Sequence, residues 1–441
     1  MILSRFNLWV EDYPRVGESL LFNTRTQALI KVTKDFRDAL SASRFDELEA
    51  QLPALKENGI IADDADSEQR SLDDFFRQLK YDAAVTFEVT VLTTYDCNFR
   101  CAYCFEESVK EGVFMDKQTS ERIVAWLRRY AREKGIRSIF LVYYGGEPLL
   151  NAAPVYEISR QMQQWAQGSG VEFGFGIITN GSLINPYLVE RLLPVGLRQV
   201  RISLDGDRET HDRQRPFADG SQSFDLIIQN IKNIVDKVPV AIAGNFDRAS
   251  AGRIPFLLDY LDGEGLLYKL ERIDFAPLSP RLGPRSNPGA AELNRCMSHF
   301  SEDGVHAELI AIKKELMRRG LLKETGLAIN ACSLTMAEGG IAIDPRGAIY
   351  KCNALLGYPE FKVGTVFEDR YNGMYEEFLH ADAWSQCPRD CVYLPMCQGG
   401  CRFFSFLENK NFHRMCCKKE FFQAIAADLI KLEYEKLLKD Q

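Results

Sequence analysis

Thr94-Tyr95-Asp96-Cys97-Asn98-Phe99-Arg100-Cys101-Ala102-Tyr103-Cys104 decides how the rest of the chain is read. Its three cysteines, in the pattern C-x3-C-x2-C, fall on a loop just after a β-like run, Phe87 to Thr94. Three closely spaced thiolates can wrap one [4Fe–4S] cube and leave its fourth iron open to a substrate or cofactor. The competing occupant is a structural zinc. It wants four protein ligands, and neither a His nor a fourth Cys stands near.

Outward from that loop, residues from about 85 to 280 alternate β-like and helical segments. Strand candidates are Phe87 to Thr94, Ile136 to Tyr144, Val171 to Thr179, Gln199 to Leu204, Val238 to Asn245 and Leu270 to Pro277. Amphipathic helices fit between them, such as Lys117 to Lys134 and Phe224 to Val235. Repeated strand–helix units predict a parallel sheet covered by helices. Ligands in such folds gather at the carboxyl ends of the strands. Cys97, Gly145-Gly146-Glu147-Pro148, Thr179-Asn180-Gly181 and Ser203-Leu204-Asp205-Gly206 all fall there, on what should be one rim.

The segment before this region holds short β-like runs (Phe6 to Val10, Ser19 to Phe22, Ala28 to Val32), then helical patterns over Lys34 to Leu40 and Phe45 to Asn58. Its acidic stretch, Ala62 to Asp74, reads as a linker or solvated edge. Strands followed by small helices suggest a compact α+β module. Beyond the alternating region, Val305 to Leu322 reads as a connecting helix. From Cys332 the chain is irregular and cysteine-rich, and it ends in a helix from about Lys418 to Leu438.

The 441 residues suit two or three domains, and 46% hydrophobic with 26% charged residues is ordinary for a globular protein. No apolar run reaches the roughly 18 residues that span a bilayer. The first residues soon meet Glu11 and Asp12, with no secretory apolar core. The expectation is a cytoplasmic protein with no membrane partner. A net charge of −8 disfavours a nucleic-acid partner. Twelve cysteines in a reducing compartment read as metal or cluster ligands rather than disulfides.

The three-cysteine loop after the first strand, with aromatic Tyr103 inside it, resembles the radical S-adenosylmethionine (SAM) superfamily. The resemblance implies an α/β fold, a partial (β/α)6 TIM-like barrel. It also implies a cluster on Cys97, Cys101 and Cys104 whose open iron chelates SAM. One electron would cleave the S–C5′ bond, and the 5′-deoxyadenosyl radical would abstract hydrogen. By the same resemblance Gly145, Gly146, Glu147 and Pro148 would bind the methionyl ammonium, through the backbone and the Glu147 side chain. Ser203 and Asp205 would approach the ribose and methionine. Arg215, in His211-Asp212-Arg213-Gln214-Arg215, would meet the methionyl carboxylate, and Asn245 would contact the ribose.

The later cysteines resemble the SPASM extension, an irregular iron–sulfur domain with two auxiliary [4Fe–4S] clusters, making three in all. The first would take Cys332, Cys352 and Cys401. The second would take Cys387, Cys391, Cys397 and one of Cys416 or Cys417. Two departures stand out. Cys387 and Cys391 are three residues apart where two is common, and no second cysteine follows Cys332 closely. Cys296 is an alternative ligand, though a lone Cys on a helical pattern is ordinarily a buried small hydrophobe. Four of these cysteines could instead hold one zinc, which leaves Cys332, Cys352 and one of the late pair unexplained.

The whole pattern resembles SPASM maturases of ribosomally made peptides, which install thioether, carbon–carbon or ether crosslinks or related modifications such as epimerised residues. The division implied is a winged-helix-like, leader-recognising module over 1–80, a barrel over 81–285, linking helices over 286–330 and the auxiliary-cluster domain over 331–441. The partners implied are a precursor peptide with a leader and an external one-electron reductant such as flavodoxin or ferredoxin. A sulfatase maturase is the second enzyme reading. That family has an Asp after the cysteine matching Cys352, where this chain has Asn353, and an amide is no base near neutral pH. A non-catalytic iron–sulfur carrier is the reading from another class; it would not need the GGEP turn, Asp205 or Arg215.

Overall fold

The computed structural model describes residues 1–81, 86–104, 110, 112–278, 305–329 and 331–439. Cys296 lies outside them. The chain divides into two compact units. One comprises Met1–Asp82, His299–Ala337 and Ala381–Gln441, and the other Ala83–Ser298 and Glu338–His380.

The first unit opens with β1 (Ile2–Leu3), β2 (Asn7–Glu11), β3 (Glu18–Asn23) and β4 (Leu29–Thr33), and later adds β5 (Ile61–Ala62). β2, β3 and β4 form an antiparallel meander in which β4 is an edge strand, and β1 pairs with β5. Thr33 ends β4 and caps the helix Lys34–Ser41 by accepting from the Phe36 backbone N–H. The helical pattern over Phe45 to Asn58 becomes a 3-10 stretch Phe45–Gln51, kinked at Leu48, followed by a helix Leu52–Glu57 with Pro53 in its first turn. Leu21, Leu40, Phe45, Leu55, Ile60 and Ile61 close this small core. The three strands followed by helices make a compact α+β module.

The acidic stretch is not a linker. Residues Ala65–Tyr81 form a helix in which Glu68 is buried against Arg5, while Leu72, Phe75, Phe76 and Leu79 recur at helical spacing on an apolar face. That face packs with Phe6, Leu394, Trp384, Cys387 and Cys391, and Phe76 stacks on Trp384 with ring centroids 5.0 Å apart. Thr24 Oγ1 also donates to the Val392 carbonyl at 2.5 Å. The N-terminal module and the cysteine-rich C-terminal segment therefore share one core.

The second unit is built on β6 (Phe87–Leu92), β7 (Ser138–Tyr144), β8 (Glu172–Thr179), β9 (Leu197–Ser203), β10 (Val240–Phe246) and β11 (Arg272–Pro277). These six run parallel and lie side by side in chain order. β12 (Ile341–Ile343) joins the free edge of β6 in parallel, and β13 (Ala348–Tyr350) and β14 (Gly364–Thr365) extend it antiparallel. The result is a nine-stranded, mostly parallel sheet, the partial TIM-like architecture expected from the sequence. Along β7, Ile139, Leu141 and Tyr143 are buried while the residues between them are half-buried, the alternation a two-faced strand requires. The covering helix Lys117–Lys134 is capped by Asp116, which accepts from Thr119 N, and stops at Gly135 with φ 65°. Among the described residues, no helix is long and apolar enough to cross a membrane.

Candidate cluster and cofactor site

The three-cysteine loop leaves β6 and is held from two sides. On one side Gly146 N donates to the Thr94 carbonyl at 3.3 Å and Glu147 N to the Asp96 carbonyl at 2.8 Å. This approach is possible only because both leading residues lack a side chain. A Cβ on Gly146 would stand 2.2 Å from the Asp96 oxygen, and one on Gly145, whose φ is +137°, would stand 2.5 Å from the Thr94 oxygen. On the other side Arg100 N reaches the Pro216 carbonyl at 2.9 Å and Ala102 N the Gln214 carbonyl at 3.0 Å. Phe99 meets Phe217 edge to face. The GGEP turn and the end of the H-D-x-x-R element, with Pro216 and Phe217 after it, thus fix the loop between them.

Burial pushes the Cys97 and Cys101 thiols up to about 11. Protons must therefore leave when iron binds. The Asn180 side-chain amide donates to Cys97 Sγ at 3.7 Å and to Asn98 Oδ1 at 2.8 Å. Neither asparagine was a sequence candidate; the polar Thr-Asn-Gly turn at a strand end was the available signal for Asn180. Among the described residues, no three Cys, His, Asp or Glu side chains converge on one metal ion. A cube differs in that its cysteines bind separate irons.

Tyr103 of the cysteine loop, Asp205 just after β9, Asn245 of β10 and Arg215, the C-cap of the helix Arg208–Gln214, meet in one polar network. The Tyr103 hydroxyl donates to Asp205 Oδ2, and accepts from Arg215 Nη1 at 2.6 Å and Asn245 Nδ2 at 3.3 Å. Asn245 N donates to Asp205 Oδ1 at 2.9 Å, and Arg215 Nη1 lies 3.9 Å from Asp205 Oδ2. Burial raises the Asp205 carboxyl, with Arg215, Tyr103 and Asn245 N pulling it back. Burial likewise opposes charge on Arg215, but Cys101, Tyr103 and Asp205 outweigh it. Asp205 N donates to His211 Nδ1 at 3.3 Å, and burial keeps that imidazole neutral. Ser203 ends β9, half-buried like Gln199 and Arg201 on the same face.

Glu147 is fully buried. Its carboxylate accepts from Leu149 N at 3.1 Å, Thr179 Oγ1 at 2.8 Å and Asn180 N at 2.8 Å. Burial pushes it up to about 7. These three donors tie the turn after β7 to the turn after β8 and leave the carboxylate acceptor capacity toward the site. Pro148 opens the short 3-10 turn that follows.

The buried Arg215 Nε and Asp96 Oδ2 have no hydrogen-bond partner. Buried polar atoms without partners are costly, and a polar ligand beside the cysteine loop would satisfy them. Three thiols outside any disulfide, a glycine-lined turn and an Asp–Tyr–Arg network fit a cluster with an amino-acid-bearing cofactor.

The later cysteines sort into groups. Cys387, pushed up to about 11 by burial, feels Cys397, Cys391 and Cys417, and Cys397 feels Cys417 and Cys391. Cys401 instead acts on Cys332 and on Cys416. All seven belong to the first unit, whereas Cys352, just past β13, belongs to the second.

Residues 91–247 match the Radical SAM superfamily. A cysteine-type anaerobic sulfatase-maturating enzyme from Clostridium novyi is 24% identical over 336 residues, 70% of this chain and 85% of the relative. Two solved structures share the fold. Native anSMEcpe with bound AdoMet and Cp18Cys peptide aligns with a TM-score of 0.61 at 16% identity, over 80% of this chain and 98% of that one. Streptococcus suis SuiB bound to precursor peptide SuiA aligns with a TM-score of 0.55 at 16% identity, over 95% of this chain and 99% of that one. With the cysteine loop, the glycine turn and the strand-end network in place, this chain carries a radical SAM domain on residues 91–247.

Proposed function

We propose that this chain is a radical SAM maturase that binds a ribosomally made precursor peptide through its leader and installs a thioether, carbon–carbon or ether crosslink. The observation that carries the peptide reading is the edge strand β4. One side of it pairs with β3 and the other is free within its sheet. A groove of about 360 Å³ runs beside it, lined by Ile30, Val32, Phe36, Ala54 and Leu55. An extended peptide could add to β4 through main-chain hydrogen bonds and seat alternate side chains in that groove. The alignment with SuiB, whose structure holds a precursor peptide, spans this module as well as the barrel, at 95% of the chain.

Cys97, Cys101 and Cys104 would hold a [4Fe–4S] cluster, and SAM bound there supplies a one-electron route to a hydrogen-abstracting radical. Arg215 would meet the methionyl carboxylate as a charge-assisted donor. Tyr103 holds Arg215 and Asp205 in register, and Asn245 and Ser203 would contact the ribose. Gly145 and Gly146 would offer backbone to the amino group, with Glu147 fixing their turn. Cys387, Cys391, Cys397 and Cys417 would hold one auxiliary cluster; Cys332 and Cys401 would contribute to another, to which the sequence pattern adds Cys352. Flavodoxin or ferredoxin would supply the electron.

Sulfatase maturation is the second reading, favoured by the long alignment with the Clostridium novyi enzyme and opposed by Asn353. Incubating the reconstituted protein with SAM, reductant and a leader-bearing peptide separates them by mass spectrometry. Loss of a pair of hydrogens with no hydrazide-reactive aldehyde supports crosslinking. An aldehyde on a sulfatase peptide overturns it.

A further inference from the structure

Arg402, directly after Cys401, is among the largest fully buried side chains of the described residues, at 1% exposure. Among the described residues its guanidinium donates to backbone carbonyls: Nε to Gly400 at 3.3 Å, Nη1 to Phe412 at 3.1 Å and Arg414 at 2.6 Å, and Nη2 to Gly399 and to Gly400 at 2.9 Å. These bonds clip the Gly399–Gly400 turn, which lies between Cys397 and Cys401, to the segment that leads into Cys416 and Cys417. The fit is tight: Cys416 N donates to the Gly399 carbonyl at 2.8 Å, and a Cβ on Gly400 would collide with the Cys416 oxygen.

Carbonyls need donors, but they do not need a cation. Burying a charge without a counter-ion is strongly unfavourable, and among the described residues no carboxylate pairs with Arg402. The groups whose negative charge would support it are Cys332, Cys401, Cys416 and Cys387. Cys401 precedes Arg402 in the chain, and the loops that its guanidinium clips together carry Cys397 and Cys401 on one side and lead into Cys417 on the other. As cluster ligands these cysteines are thiolates. The buried cation is therefore matched to the loaded state of both cysteine groups.

We propose that Arg402 is the buried counter-charge of the auxiliary clusters, joining their ligand-bearing loops and raising the reduction potential of the clusters held there. The inference rests on the reading that these cysteines hold clusters. A fixed positive charge favours the more negative, reduced cluster, and net charge and hydrogen bonding are among the levers that set such potentials.

The test uses the full chain with Cys97, Cys101 and Cys104 replaced by Ala, so that only auxiliary iron remains, and an EPR-monitored redox titration of Arg402→Gln and Arg402→Lys in that background. Arg402→Gln should lower the reduced-to-oxidised ratio at a fixed poise about tenfold, which is about 59 mV for a one-electron couple. Arg402→Lys, which keeps the charge, should stay near the parent potential. Unmoved potentials in an iron-replete Arg402→Gln protein overturn the assignment. If Arg402→Gln loses its iron while Arg402→Lys keeps iron and potential, the charge is supported. If Arg402→Lys loses iron equally, or shifts as far as Gln, the hydrogen bonds alone matter and the proposal fails. A parent protein without iron overturns the cluster reading itself.

Discussion

Removing one oxygen, by Tyr103→Phe, tests the cofactor network directly. The hydroxyl bridges two buried ions, donating to Asp205 and accepting from Arg215 Nη1 at 2.6 Å, with Asn245 Nδ2 at 3.3 Å. Hydrogen bonds to charged groups contribute about 1.5–3 kcal/mol each. Asp205 and Arg215 are already 3.9 Å apart and would close toward each other, recovering part of the loss. A net cost near one such bond, about 1.5–3 kcal/mol, should weaken SAM binding by roughly 10- to 100-fold. No cluster ligand is touched, so iron content should stay at the wild-type level. Calorimetric titration of SAM into the reconstituted protein, with iron assayed on the same sample, reads both quantities. Affinity within about twofold of wild type at full iron would refute the claim that this network serves the cofactor.

Other outcomes follow from the same geometry. Because burial raises Glu147 from 4.5 to about 7, the native state holds that proton more tightly than the unfolded chain does. Stability therefore falls as pH rises across that window and levels above it. Glu147→Gln lacks this slope, so its deficit in denaturant unfolding should shrink by on the order of 2 kcal/mol between pH 5.5 and 7.5; a constant deficit contradicts the assignment. Phe76→Ala removes a buried ring stacked on Trp384 and packed with Cys387 and Cys391. It should cost about 3–5 kcal/mol and lower auxiliary iron; unchanged melting and iron would show that this core does not support the cysteine loop. Ala54→Arg fills the groove beside β4 from an exposed position. It should cut precursor modification at least about tenfold by blocking strand addition while SAM cleavage persists, and equal loss of both would argue against a leader site there.

The cysteine loop and the rim were legible because their chemistry is local. Three thiols in eight residues, and polar turns where β7, β8 and β9 end, speak without knowledge of distant contacts. Glu147 was found but its engagement was not, since Thr179 and Asn180 reach it only once β7 and β8 lie side by side. The helix Ala65–Tyr81 was missed because dense acidic residues mask its apolar face when composition is weighed before periodicity. The shared core of the N-terminal module and the cysteine-rich segment joins residues more than 300 positions apart, such as Thr24 and Val392, and no local pattern encodes it. Deleting residues 1–80 would therefore strip Phe6, Leu72 and Phe76 from that core, so a groove substitution is the cleaner test of leader binding. Arg402 carried no signal in a linear reading, because an arginine after a cysteine looks like any solvated charge.

The most direct test of the central claim is the yield of 5′-deoxyadenosine from SAM and a strong reductant, measured for the reconstituted chain and for the variant with Cys97, Cys101 and Cys104 replaced by Ala. The wild-type chain should form it, and the variant should form none while retaining the iron of its later cysteines. An iron-replete wild-type chain that makes no 5′-deoxyadenosine, or a triple variant that makes as much as wild type, would contradict the account.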